Sequence, residues 1–326
     1  MTASAAFMPA AFVPALRTVG RVGAAAAASG LAVGAWAVVG ERHRFRIRHE
    51  RLPVLAPGAA DLRVLHVSDL HTVPGQETKT RFVRGLAELE PDLVVDTGDN
   101  LSHLGALPYL LEMLEPLLRL PGLYVPGSNC YFAPTFKNPA RYLWKASSRD
   151  EDRDDLRILP WQQMHAAFDA AGWTGMINRA DRIRVAGQVL EVAGVDDPHL
   201  GFDLHPGFPP PRPPLSGDRP STSGETDRPV LRLGLTHAPY QRVLDRFADD
   251  GADLILAGHT HGGQVCLPGG RALVSNCDIE PRRCKGMTSQ KGVPVGISAG
   301  LGESRFAPVR LFCRPEAVLM TLTARA

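Results

Sequence analysis

LRVLHVSDLH occupies residues 62–71 and introduces a pattern that recurs along the chain. Leu62–Val67 is a short apolar run rich in β-forming residues, which predicts a buried strand, and Asp69 and His71 follow directly after it. Over Thr80–Leu89 the apolar residues share one helical face. A strand that ends in a polar turn and is followed by a helix is typical of a layered α/β fold.

The rest of the chain repeats this alternation. Further strands are predicted at Leu93–Asp96, Leu123–Val125, Val189–Val195, Leu231–Leu235, Leu254–Ala257, Leu273–Ser275, Val295–Ser298 and Val318–Thr323. Helices are predicted at Leu107–Leu120 and Tyr240–Phe247. Because ligands gather at the carboxyl ends of strands in α/β sheets, we expect the functional site where these strands end.

Five polar clusters follow the predicted strands. Their candidate metal-binding side chains are Asp69, His71, Asp99, Asn129, His237, His259 and His261. Imidazole nitrogen and carboxylate oxygen suit Zn, Fe and Mn. Each residue taken alone also fits a turn, a helix cap or a packed histidine. Gathered at one sheet edge, the set is large enough for two metal ions that share a carboxylate.

The order of these clusters resembles that of the calcineurin-like metallophosphoesterases, over about Leu62 to Ala324. Gly258–Gln264 (GHTHGGQ) and Val195–Pro198 (VDDP) resemble the bacterial membrane-associated branch of that family. The resemblance implies a four-layer α/β/β/α sandwich over residues 62–326. It also implies hydrolysis of a phosphodiester, phosphomonoester or pyrophosphate by a water activated between two divalent metal ions, such as Mn, Fe or Zn.

The resemblance also assigns a role to each candidate ligand. One ion would be held by Asp69, His71 and His261. The other would be held by Asn129, His237 and His259, and Asp99 would bridge the two.

The third cluster departs from the family pattern, which is Gly-Asn-His followed by Asp or Glu. Residues 127–130 are GSNC. Without a gap, Ser128 aligns with the ligand asparagine and Asn129 with the catalytic histidine. With a shift of one residue, Asn129 keeps the ligand role, which we favour because an amide oxygen is a good metal donor. Asn129 and His103 are the catalytic candidates, and His199 is an alternative source of the absent imidazole.

An uncharged run over residues 22–40 lies within the N-terminal segment 1–50. A span takes about 20 apolar residues, so we predict an N-terminal apolar membrane helix. A signal peptide and a soluble Ala-rich helix are the alternatives. More arginines follow the run than precede it, which predicts a single-pass protein with a cytoplasmic catalytic domain and leaves an extracytoplasmic one as the alternative. Residues 51–61 are predicted as a linker and 208–229 as a Pro-rich insertion.

Composition excludes some functions. The 326 residues include 36 basic and 34 acidic ones, so no nucleic-acid-binding surface is indicated. The five cysteines form no C-x-x-C pair, which excludes a zinc ribbon and favours unpaired thiols.

From the polar clusters and the family resemblance we expect a phosphoesterase with a phosphoester substrate, a lipid-linked one if the anchor is present. A degenerate metal-binding scaffold and a cytosolic nucleotide or phosphoprotein phosphatase are the competing hypotheses.

Overall fold

The computed structural model describes residues 27–135, 157–210 and 230–326. Its helices are α1 (27–35), α2 (Glu77–Gly85), α3 (Leu107–Leu114), α4 (Ser128–Tyr131), α5 (Trp161–Ala170) and α6 (Gln241–Asp249). Its strands are β1 (Arg46–Leu55), β2 (Leu62–Val67), β3 (Leu93–Asp96), β4 (Gly122–Tyr124), β5 (Thr174–Gly175), β6 (Arg179–Val185), β7 (Gln188–Gly194), β8 (Leu231–Leu235), β9 (Leu254–Ala257), β10 (Gly286–Gln290), β11 (Val293–Ile297) and β12 (Glu316–Ala324).

The strands form two six-stranded sheets. The first has the order β1-β12-β2-β3-β4-β5 and the second the order β10-β11-β9-β8-β7-β6. In the first sheet β2, β3 and β4 run parallel, with Val64 opposite Leu93 and Val94 opposite Gly122. In the second sheet β8 is parallel to β9. The mixed α/β fold with two sheets is therefore confirmed.

Three apolar cores hold the sheets and helices together. Alternate residues of a strand point to opposite faces, so Val64 of β2 faces the second sheet while Leu65 faces the helices of the first. The core on that outer face includes residues of α2, α3 and α5, for example Val83, Met113 and Phe168. On the second sheet α6 packs against the outer face. All five cysteines are buried and unpaired.

Some predicted elements are wrong. Leu273–Ser275 forms no strand, because the chain there makes turns after a single bridge between Cys266 and Ala272. The predicted linker 51–61 overlaps β1, which pairs in parallel with β12 and so extends the first sheet before residue 62. β1 (RIRHERLPVL) is rich in charged residues, which an edge strand tolerates because one side of it is unpaired. These charged residues interrupt the apolar pattern by which the other strands were predicted. Of the predicted insertion 208–229, residues 211–229 lie outside the described residues.

The N-terminal prediction needs a larger correction. Residues 27–35 are helical and exposed, and a π-helical turn over Trp36–Gly40 and a 3-10 turn over Glu41–His43 follow. Within 27–135, 157–210 and 230–326, no helix combines the length and apolarity that crossing a bilayer requires. This finding overturns the predicted single-pass membrane helix over 22–40 and the membrane location built on it. Residues 22–26 of that range lie outside the described part of the chain.

Candidate metal centre

The five polar clusters meet at the carboxyl ends of β2, β3, β4, β8 and β9. Backbone hydrogen bonds join the loops to one another. Asp69 N donates to Gly98 O at 2.8 Å, and His71 N donates to Asp99 O at 2.9 Å. Gly258 N likewise donates to His237 O at 2.8 Å. The loops thus form one bonded layer, as expected where parallel strands end together.

Two sets of three side chains in this layer could hold a metal ion. The sets are Asp69, His71 and His261, and Asp69, Asp99 and His237, with the donor atoms of each set all within 4.8 Å of one another. Asp99 reaches a histidine of each set. Its Oδ2 lies 3.5 Å from His71 Nε2 and its Oδ1 lies 3.4 Å from His237 Nε2.

The first set is compact. His71 Nε2 lies 3.1 Å from His261 Nε2, and Asp69 Oδ1 lies 3.6 Å from His261 Nε2. The Ser68 hydroxyl donates to the other oxygen of Asp69 at 2.6 Å. Asp69 therefore presents Oδ1 to both imidazoles while its Oδ2 is already bonded.

Each of the four histidines is held through one ring nitrogen. His71 Nδ1 bonds Ser102 Oγ at 2.9 Å, and His237 Nδ1 bonds Thr97 O at 2.6 Å. His261 Nδ1 bonds Gly302 O at 3.3 Å. His259 is held through the other nitrogen, since its Nε2 bonds Asn276 O at 3.1 Å. Such bonds fix the tautomer and orient the second nitrogen of metal-binding histidines.

Metal binding needs neutral imidazole, and burial favours that form in three of the four candidate histidines, whereas His237 is held in its charged form. Burial lowers the pKa of His71 and of His261 to about 4, and it lowers the pKa of His259 well below its usual value. Burial alone would lower the pKa of His237, but the Asp99 carboxylate beside it raises that pKa to about 10. Burial would raise the pKa of Asp99, yet His237 outweighs it and holds that pKa far below the usual range.

His237 Nε2 gives a direct test of whether a metal fits. This atom is buried and makes no well-aligned hydrogen bond within the described residues, although Asp99 Oδ1 lies 3.4 Å from it. A buried polar atom without a partner costs free energy unless something else satisfies it. A cation between His237 and Asp99 would do so, and the donor types present are those that first-row metals prefer.

The backbone of the centre is strained. Five candidate ligands have positive φ angles, which only glycine adopts readily: Asp69 (51°), His71 (42°), Asp99 (56°), His259 (69°) and His261 (50°). Such strain costs of order 1–3 kcal/mol per residue and concentrates at functional sites. The surrounding hydrogen bonds hold the ligands in these conformations.

In the third turn, the two residues after Gly127 line the pocket and the next one does not. Ser128 and Asn129 line the pocket, whereas the Cys130 side chain is buried in the core. Asn129 N donates to Asp99 Oδ1 at 2.7 Å, and its amide Nδ2 donates to Phe132 O at 3.1 Å. Position 129, not position 130, is therefore the one from which a side chain could reach a substrate.

The two histidines considered as substitutes for the absent imidazole lie in different places. His103 is half-buried, its Nδ1 accepts a hydrogen bond from Gly105 N at 3.0 Å, and it is not among the residues lining the pocket. His199 lines the pocket, its ring centroid lies 4.7 Å from that of His259, and its Nδ1 bonds Tyr240 Oη at 3.0 Å. Geometry favours His199.

A pocket of about 390 Å³ opens on the candidate ligands. Four of the candidate ligands line it: His71, Asp99, His259 and His261. The rest of the wall is mainly apolar: Phe132, Val265, Leu273, Val274, Phe306 and Val309. The candidate ligands therefore share a pocket with a mainly apolar wall, which we call the apolar chamber.

Sequence reasoning did not identify Ser68 or Ser102, which bond Asp69 and His71. Ser68 precedes Asp69 in the same motif, so its position carries a usable signal. Ser102 lies 31 residues from its partner His71, and no local pattern marks it.

Comparison with known proteins finds one matching family model and several similar proteins. The family model described as calcineurin-like phosphoesterase matches residues 62–263. An uncharacterized metallophosphoesterase of Aquifex aeolicus is 24% identical over 288 residues, 86% of this chain and 91% of that protein. Phosphodiesterase YaeI of Escherichia coli is 28% identical over 285 residues, 85% of this chain and 87% of that protein. The protein TT1561 of Thermus thermophilus aligns with a TM-score of 0.40 and 12% identity, over 74% of this chain and 91% of that one.

Proposed function

The chain belongs to the calcineurin-like phosphoesterase family, and from that premise we propose that it hydrolyses phosphodiesters at a centre for two divalent metal ions. It is a hydrolase of phosphoric ester bonds. The observation that carries the two-metal proposal is Asp99, whose two carboxylate oxygens face His71 and His237 respectively. One carboxylate between two imidazoles is the arrangement that a shared ligand requires.

Each side chain then has a role. Asp69, His71 and His261 would hold one ion, and His237, His259 and the Asn129 amide oxygen the other, with Asp99 between them. Divalent metals in such a pair supply an activated water and stabilise charge on the phosphoryl oxygens. The chain itself keeps His71, His259 and His261 neutral through burial. Mn, Fe and Zn all suit this donor set.

The third turn limits the choice of leaving group. No imidazole is present at residues 127–130, so protonation of the departing oxygen would have to come from elsewhere. General acid catalysis typically contributes about 10²–10⁴-fold. Leaving groups of low pKa, such as aryl oxides or the phosphate of a pyrophosphate, need that proton least. His199 is the candidate donor in the pocket, and His103 lies outside its lining.

The apolar chamber favours a substrate with an apolar group, and a lipid-linked phosphoester meets that description. Phe306 and Leu273 line the chamber beside the ligands. Comparing p-nitrophenyl methyl phosphate with p-nitrophenyl decyl phosphate tests this. We expect a lower KM for the decyl ester, lost in Phe306→Ala and kept in Phe312→Ala, because Phe312 is exposed outside the pocket lining. Equal KM values for both esters would rule out the apolar requirement.

Asp99 provides the test of the function as a whole. Asp99→Asn keeps the shape of the side chain but removes its charge. We expect Mn²⁺-dependent hydrolysis of bis-p-nitrophenyl phosphate to fall at least about 100-fold, since even a residue supporting a ligand is worth about 10–100-fold. Asp181→Asn, on the edge strand β6 of the second sheet, is the matched control. Metal binding without any wild-type turnover would instead favour the scaffold hypothesis.

A further inference from the structure

Arg310 is a fully buried cation close to the first set of ligands. Its exposed fraction is 0%, yet among the ion pairs of the described residues none includes it. Burying a charge without a counter-charge is expensive, and such groups are usually paired or bound to a metal. Its Nε also has no hydrogen-bond partner in the part of the chain that the structure describes. Arg310 therefore lowers the stability of the fold unless its contacts offset the cost of burial, which suggests a role other than stability.

Within the described residues the guanidinium donates to backbone carbonyl oxygens, and its Nη1 also contacts Cys313 Sγ at 3.9 Å. Nη2 donates to Ala299 O at 2.8 Å, to Gly300 O at 3.2 Å and to Gly302 O. Nη1 donates to Cys313 O at 3.2 Å. The planar guanidinium offers five N–H donors in a fixed fork, against three on an ammonium, so it can serve more carbonyls at once. Arg310 thus holds the backbone of residues 299–302 through its carbonyl oxygens.

Residues 299–302 in turn touch the candidate ligands. Gly302 O accepts the bond from His261 Nδ1 at 3.3 Å, and Gly302 N donates to Asp69 O at 2.5 Å. Leu301 N donates to Ser68 O at 3.0 Å. A Cβ on Gly302 would lie 2.8 Å from the Cβ of His71, so the backbone passes directly against that ligand. The Gly302 carbonyl is shared between Arg310 and His261.

We propose that Arg310 is a positioning residue for the metal site formed by Asp69, His71 and His261, acting through the backbone carbonyls of residues 299–302. The inference rests on the proposed metal centre. Removing the guanidinium would free the Gly302 carbonyl, which sets the orientation of the His261 ring. The ring would then sample orientations that do not bind metal. Arg310 would touch neither substrate nor metal.

Metal affinity tests the proposal without depending on turnover. Full-length protein is stripped with a chelator and titrated with Mn²⁺, followed by the loss of the free-ion EPR signal, at a temperature where circular dichroism shows every variant folded. We expect Arg310→Met to weaken binding about 10–100-fold, the range seen for residues that orient ligands. Arg310→Lys should fall between wild type and Arg310→Met, because an ammonium can still serve part of the carbonyl set.

Arg314→Met is the matched control. Arg314 also donates to backbone carbonyls, those of Arg44 and Phe45, but these belong to the N-terminal segment and not to the metal site. We expect its Mn²⁺ affinity to equal that of wild type. Equal weakening in Arg314→Met and Arg310→Met would show a general loss of structure and overturn the proposal.

A double-mutant cycle with His261→Ala identifies the route. If Arg310 acts through His261, the arginine substitution should weaken binding far less in the His261→Ala background than in wild type. Additive losses would overturn the proposal. Should Arg310→Met not fold, Arg310→Lys serves in the same cycle. Wild-type protein that binds no Mn²⁺ would overturn the proposed function as well, whereas wild-type binding with unchanged Arg310 variants would overturn this inference alone.

Discussion

At the scale of single residues, burial and the Asp99 carboxylate give the four candidate histidines different protonation states. Three of them, His71, His259 and His261, are kept neutral by burial. His237 differs, since Asp99 raises its pKa to about 10. Without metal, His237 and Asp99 are therefore an ion pair at neutral pH. A metal ion that binds between them must displace a proton.

This difference predicts proton release. At neutral pH and up to about pH 9 the apo-protein holds a proton on His237, so binding of Mn²⁺ should release about one proton per chain and tighten as pH rises. Above the raised pKa of His237, about 10, the release should disappear. Calorimetric titrations in two buffers of different ionisation enthalpy measure it. Binding without proton release at neutral pH would mean that His237 is already neutral.

Several candidate ligands were predictable because they lie two or three residues after the ends of buried strands. Asp69, Asp99 and His237 each follow a strand whose apolar character is evident from sequence. Arg310 and Ser102 were not predictable, because their roles arise from contacts between segments far apart in the chain. The third turn required the structure as well, since only burial distinguishes Asn129 from Cys130.

At the scale of elements, the short turns after the strands bring the side chains together. Gly127, between β4 and α4, shows how close the approach is. A Cβ on Gly127 would lie 2.6 Å from His237 Nε2 and closer still to Asp99 Oδ1. No side chain fits there without displacing the ligands of the second set.

We therefore expect Gly127→Ala to weaken Mn²⁺ binding by at least about tenfold, because it moves Asp99 or His237. Gly85→Ala is the control, since a Cβ there has nothing within 4 Å and Gly85 lies at the end of α2. That change should leave metal affinity unchanged, and alanine in a helix stabilises by roughly 0.5–1 kcal/mol over glycine. Wild-type affinity in Gly127→Ala would show that the second set does not bind metal.

The turn before α4 yields a second prediction at this scale. The double change Ser128→Asn with Asn129→His moves the proposed ligand amide from position 129 to position 128 and places an imidazole at 129, both of which line the pocket. We expect turnover of alkyl phosphodiesters to rise about 100-fold, with little change for p-nitrophenyl esters, which need no acid. Cys130→His is the control and should bring no gain, because Cys130 is buried in the core. No gain from the double change would show that the imidazole is not limiting.

At the scale of the whole molecule, β1 belongs to the first sheet, and residues 41–48 contact residues 313–316 near the C-terminal strand. β1 pairs in parallel with β12, and Arg46 and Arg48 bond the buried carboxylate of Glu316. Glu41 Oε1 accepts from Cys313 N at 2.9 Å. The α/β class was predictable from the alternation of strands and helices, and the two sheets only from the resemblance to a known family. β1 was not, because its charged residues match a linker as well as an edge strand.

Two deletions separate the contribution of β1 to stability from that of the residues before it. Removing residues 1–55 deletes β1 and leaves Glu316 buried without its arginines, whereas removing 1–45 keeps both. We expect the longer deletion to lower the free energy of unfolding by at least about 3 kcal/mol relative to the shorter one, the cost of breaking a buried ion pair. Urea unfolding followed by circular dichroism measures the difference. Equal stability of the two would mean that β1 contributes nothing to the sheet.

The central claim is a centre for two metal ions joined by Asp99, and metal stoichiometry tests it most directly. Chelator-stripped full-length protein is titrated with Mn²⁺ while bound metal and bis-p-nitrophenyl phosphate hydrolysis are measured on the same samples. We predict two ions bound per chain, with turnover rising as the second binds, and a loss of both in Asp99→Asn. Full turnover with one ion bound per chain, or undiminished binding of two ions by Asp99→Asn, would contradict the claim.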